Sequence, residues 1–103
     1  EGRRQEEALA MPVRVRLPST LREYAQGREV IELAGSPATV GDALAELGVQ
    51  FPFVRSRVLT ETGEVRPHVQ VFVGLEMIRW TGGLATAVPA DAEIHIVPAV
   101  SGG

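Results

Sequence analysis

The residues of this chain best suited to chemistry are its last two, Gly102 and Gly103. They follow an apolar stretch and the irregular run Pro98, Ala99, Val100, Ser101. Paired terminal glycines present an unhindered carboxylate on a thin tail. Lacking Cβ atoms, that tail can enter a channel too narrow for any other residue. From Pro98 onward it reaches roughly 20 Å when extended, at about 3.3 Å per residue. Such an end suits a protein whose reactive group, Gly103, is offered to other enzymes. A cloning scar or frayed terminus gives the same letters, so the rest of the chain must decide.

Other reactive residue types form no working set. His68 and His95 are the only histidines, and cysteine is absent, so a metal site of three or four ligands is not expected. The lack of cysteine also removes disulfides and thiol nucleophiles and makes the cytoplasm the expected compartment. Glu61 and Glu64 flank a turn and read as solvated. Thr81-Gly82-Gly83 lacks the spacing and the lysine of a phosphate-binding loop. Ser19, Thr20 and Ser101 have no evident base partner. All ten basic residues are arginines, scattered without a continuous stripe, so no nucleic-acid surface is expected. With no lysine side chain, the chain cannot accept an isopeptide bond from a ubiquitin-like partner. No apolar run is long enough to predict a membrane span.

The length of 103 residues fits one domain. Residues 1–10 are polar and lack the apolar centre of a signal peptide, so they read as a leader or tag outside the fold, with Met11 as a plausible start. Residues 11–97 are then the folded body and 98–103 a flexible tail.

Residues 13–17 alternate apolar and polar, a half-buried strand facing inward with Val13, Val15 and Leu17. Residues 20–27 read as a loop, and 28–33 as a second strand antiparallel to the first. Thr39 fits a helix N-cap, followed by one apolar face of Val40, Ala43, Leu44 and Leu47, with Gly48 as the stop. A short helix is expected across Phe51, Val54 and Val58. Residues 69–73 form a third strand, 76–80 a short edge strand and 93–97 the last. Leu84 returns to the core, and Trp80 is expected to pack against Leu84 or the short helix.

One main helix on one face of a mixed four- to five-stranded sheet is an α+β arrangement, and this order is that of the β-grasp, or ubiquitin-like, layout. The last strand then lies beside the first in mid-sheet. The open face would carry Arg14, Arg16, Gln70, Phe72, His95 and Val97. Phe72, Val97, His95, Arg14 and Arg16 are candidate partner-docking residues. Alternatively, Phe72 packs beneath residues 74–88.

A β-grasp body ending in Gly-Gly resembles the ThiS/MoaD-type sulfur-carrier family. The resemblance rests on Val69-Gln-Val-Phe-Val-Gly, Ile78-Arg-Trp-Thr-Gly-Gly-Leu-Ala-Thr-Ala-Val and Ile94-His-Ile-Val-Pro-Ala-Val-Ser-Gly-Gly, and it is strongest to the CysO branch. It implies that the Gly103 carboxylate is adenylylated by an E1-like enzyme using ATP and converted to a thiocarboxylate. The carrier itself would bind no cofactor and be no enzyme. The implied acceptor is a PLP-dependent cysteine synthase or a thiazole-synthase-like enzyme, and a metallopeptidase that releases the product from the tail is a further implied partner. The alternatives are the small subunit of a molybdopterin-type synthase and a β-grasp interaction module with an inert tail.

Overall fold

A computed structural model describes residues 12–98. The leader at 1–10 and the tail residues Ala99, Val100, Ser101, Gly102 and Gly103 lie outside the described residues.

Strands β1 (Val13–Arg16), β2 (Val30–Leu33), β3 (Val69–Val73), β4 (Glu76–Met77) and β5 (Glu93–Pro98) form one sheet in the order β2-β1-β5-β3-β4. β1 and β5 run parallel, and the other pairs are antiparallel. This is the β-grasp order, with β5 central. Helices α1 (Val40–Gln50) and α2 (Pro52–Val58) complete the fold.

The period-two pattern of β1 and β5 divides the sheet cleanly. Val13, Val15, Ile94 and Ile96 are buried, and Leu17, just beyond β1, joins them. The apolar stripe of α1 contributes Val40, Ala43, Leu44 and Leu47, all fully buried. Thr39 is extended and its Oγ1 accepts a hydrogen bond from the Asp42 backbone N–H at 3.1 Å. Such a cap is worth about 1 kcal/mol.

The structure departs from the sequence expectation at several elements. Residues 20–27 are not a plain loop: Ser19–Ala25 is a 3-10 helix that buries Leu21 and Ala25. β2 begins at Val30, two residues later than expected. Gly48 does not stop α1, which runs on to Gln50. Pro52 sets that limit, because its ring disfavours helical backbone at Phe51. Gly48 instead lets the helices approach, since a Cβ there would collide with the side chain of Arg55. The expected edge strand at 76–80 is strand only at Glu76–Met77, and Ile78–Trp80 is a 3-10 turn that buries Ile78. Trp80 does not pack into the body; it is 76% exposed, with the Arg79 guanidinium 5.7 Å from its ring centroid. His68 lies in the turn before β3 rather than on the strand. β5 continues one residue beyond its expected end, so Pro98 is part of the sheet.

Residues 81–88 strap the start of α1 to the body. Val40 N donates to Thr86 O at 3.0 Å, and Val88 N to Ala38 O at 2.9 Å. Gly82 and Gly83, at φ 121° and 62°, supply the left-handed turn this strap needs. Leu84 is half-buried against the core. The Gly-Gly-Leu-Ala-Thr segment is therefore a structural brace, and its backbone N–H groups at Ala85 and Thr86 are spent on Gly82 and Gly83 carbonyls.

Candidate functional site: the exit of the central strand

β5 is hydrogen-bonded on both sides. Val15 pairs with Ile94 across the parallel junction, while Gln70 pairs with Val97 and Val69 with Pro98 across the antiparallel one. A central strand with a buried face has its register firmly set. Pro98, the last described residue, is therefore held at a fixed point of the sheet, five residues before Gly103.

The face of the sheet opposite α1 is open. The registers place Val30, Arg16, His95, Phe72 and Met77 in one row across all five strands. Arg14, Arg16, His95, Phe72 and Val97 thus do share this face. Phe72 is half-buried there, in register with Met77 of β4. Val97 is 37% exposed at the exit.

The arginines on this face are not free cations. Arg16 reaches Glu93 with Nε at 3.0 Å and with its terminal guanidinium nitrogen at 2.9 Å, and also meets Glu29 at 2.8 Å. Arg14 pairs with Asp91 at 3.2 Å. His95 Nε2 lies 3.2 Å from the other Glu93 oxygen. Glu93 therefore bridges Arg16 and His95. Sequence reading overlooked Glu93, although residues 93, 95 and 97 must share a face in any strand there. These pairs hold the polar side chains of β1 and β5 flat and leave an apolar strip at Phe72, Met77 and Val97. Partly exposed pairs of this kind contribute little stability, about 0–1 kcal/mol each, but they fix side-chain positions.

At the exit the sheet borders a cleft of about 500 Å³ between Ser19–Ala25, α2 and β5, lined in part by Tyr24, Arg57, Arg66 and His68. Nothing in the local sequence pattern joins these residues, which come from three separate segments.

Among the described residues, no group of three or more His, Asp or Glu side chains is placed to hold a metal ion, and no helix is long and apolar enough to cross a membrane.

Comparison with known proteins places this geometry in a family. The ThiS family profile matches residues 15–103. The sulfur carrier protein CysO of Mycobacterium tuberculosis is 30% identical over 95 residues, spanning 90% of this chain and 100% of that protein. A chain of the Amycolatopsis orientalis BexX/CysO complex superposes with a TM-score of 0.79 at 30% identity, covering 88% of this chain and 99% of its own. SAMP1 from Haloferax volcanii superposes with a TM-score of 0.72 at 34% identity, covering 88% of this chain and 98% of its own. The match includes the strand exit and the residues beyond it, and this β-grasp chain belongs to the ThiS family.

Proposed function

We propose that this protein is a sulfur carrier whose Gly103 carboxylate is the working group. The observation that carries the reading is the doubly paired central strand, which delivers residues 99–103 from a fixed exit. A free α-carboxyl has a pKa of about 3.3–3.7 and is an anion at neutral pH, hence a poor electrophile. Attack of the Gly103 carboxylate on the α-phosphorus of ATP releases pyrophosphate and leaves an acyl-adenylate. Hydrosulfide then adds to the carbonyl and expels AMP, and loss of the proton on sulfur leaves the thiocarboxylate. An E1-like enzyme supplies the site for both steps. The carrier donates no acid, base or metal; it places one carbonyl.

The sulfur then passes to an acceptor on a synthase, in the CysO manner an activated serine on a PLP-dependent enzyme, which makes cysteine. That a CysO relative forms a complex with BexX supports docking on a partner enzyme as part of the cycle.

Ordering a tail opposes binding by roughly 1–2 kcal/mol per residue, so the body must contribute affinity. The apolar strip of Phe72 and Val97, framed by Arg14, Arg16 and His95, is the surface offered for this. The test is intact-mass measurement after incubation with ATP, an E1-like enzyme of the same organism and a sulfur donor. The expected product carries sulfur in place of one oxygen at the terminus. Phe72→Ser is expected to raise the KM for the carrier about tenfold, because a half-buried aromatic at an interface contributes on the order of 1–2 kcal/mol. An unchanged mass with an enzyme that loads other carriers leaves only the inert interaction module.

A further inference from the structure

The cleft at the strand exit has an uneven charge that the carrier chemistry does not use. Among the described residues it is lined by Arg57, Arg66 and His68 and by no Asp or Glu, while Arg66 also borders neighbouring clefts lined by Glu61 and Glu64. This stands out in a chain whose net charge is −3. Its apolar wall includes Leu21, Tyr24 and Ile96.

Both guanidinium groups are held in place by groups that leave their charge unspent. Arg57 lies over the Tyr24 ring, with its Cζ 4.4 Å from the centroid. Arg66 donates from Nε to the Ser56 carbonyl at 2.9 Å, which fixes the plane of the group while its two terminal nitrogens stay available. Among the described residues neither arginine forms an ion pair, as is also true of Arg28, Arg55 and Arg79, whereas Arg14 and Arg22 each form one and Arg16 two. An arginine stacked on an aromatic ring, with less rotamer freedom left to lose, binds a carboxylate at a smaller entropic cost. Pro98 also lines this cleft, so anything seated there lies beside the root of the tail.

We infer that the cleft receives an acidic segment of the enzyme that takes up the tail: one or two Asp or Glu side chains on an otherwise apolar ridge beside the mouth of its channel. The inference rests on the carrier reading for the identity of that enzyme, and on the cleft alone for the acidic chemistry. Engagement at Phe72 and Val97 on the open face and at Arg57 and Arg66 around the exit would grip the root of the tail from two sides. That clamp sets the direction in which residues 99–103 enter the channel.

The probe for the cleft itself is the peptide acetyl-Glu-Leu-Glu-Leu-Glu-amide, titrated into the full chain and followed by NMR at the Arg57 and Arg66 side chains and the Tyr24 ring. Saturable shifts are expected at all three; the shift of the Tyr24 ring is lost in the Arg57→Glu/Arg66→Glu double variant, and all three are kept in Arg28→Glu/Arg79→Glu, which makes the same charge change at two exposed arginines outside the cleft. In the loading reaction the first variant is expected to raise the KM for the carrier about tenfold with kcat within about twofold, an effect that shrinks as salt screens it. Equal KM shifts in the two variants, or no peptide shifts in the folded wild-type chain, overturn the inference. So does movement of the cleft signals on removal of residues 99–103, because the chain's own carboxylate would then be the occupant. Peptide binding in a chain that no activating enzyme loads would sink the carrier reading while leaving an acidic-segment cleft.

Discussion

Removal of Gly103 is expected to abolish sulfur loading and leave the body as stable as before. The variant still ends in glycine and still carries a carboxylate, so its chemistry is intact. What changes is reach. The reacting carbonyl is drawn back by about 3.3 Å relative to the fixed exit at Pro98. An error of about 1 Å in the placement of a reacting atom can cost on the order of a hundredfold in rate. The expected loss of adenylate formation is therefore greater than a hundredfold, read as pyrophosphate release and as the absence of the sulfur-bearing mass. The thermal midpoint should stay within about 1 °C, because residues 12–98 already hold a contiguous core and pair β5 on both sides. Full loading of the shortened chain would show that the distance from Pro98 to the reacting carbonyl does not limit the reaction. Unfolding on removal of Gly103 would show that the tail is part of the body.

The fold was legible wherever one local rule decided an element. The alternation through Val13, Val15 and Leu17 needed only a buried face, and so did Ile94 and Ile96. Thr39 with Asp42 marked the helix start because capping is a local event between residues three apart. The readings that failed depended on partners distant in the chain. Gly48 followed an apolar stripe, as a helix stop does, yet its role is to admit Arg55 from the next helix. Ser19–Ala25 has too few turns to show a period, and only its packing reveals that Leu21 and Ala25 are buried. Trp80 reads as packing against Leu84 or the short helix, but the turn at Ile78 buries the isoleucine and leaves the indole exposed.

The same division applies to the site. The open-face residues were legible because strand parity fixes which side chains share a face. The ion pairs that engage Arg14 and Arg16 were not, because Asp91 and Glu93 reach them through the parallel β1–β5 pairing, 77 residues away in sequence. The cleft of Tyr24, Arg57 and Arg66 was illegible for a similar reason: a 3-10 helix, α2 and the turn after it must first be brought together. Thus the face that parity predicted holds arginines already paired with carboxylates, while the two arginines of the cleft, which have no such partner among the described residues, sit where no pattern pointed.

Ile94→Ala is the complementary experiment, expected to damage the body while sparing the chemistry. Ile94 is fully buried in β5 and pairs with Val15 on one side and Val73 on the other. Truncating a buried isoleucine to alanine costs about 2–5 kcal/mol, the larger values applying where neighbours cannot close the cavity. Here the site is held between two paired strands and the buried α1 stripe, so a cost of about 3–4 kcal/mol is expected. Against a total of roughly 5–15 kcal/mol for a domain, that is a large fraction. The thermal midpoint should fall by roughly 15–25 °C, at about 4–8 °C per kcal/mol for a chain of this size. Below that midpoint the exit at Pro98 is still formed, because the cavity lies four residues earlier in the strand, a span of about 13 Å. Loading at low temperature should therefore proceed with kcat close to that of the intact chain and fail only as the body melts. A variant that is folded by circular dichroism yet unloaded would mean that the interior of β5 tunes the reacting end directly, and that the body is more than a holder for its terminus.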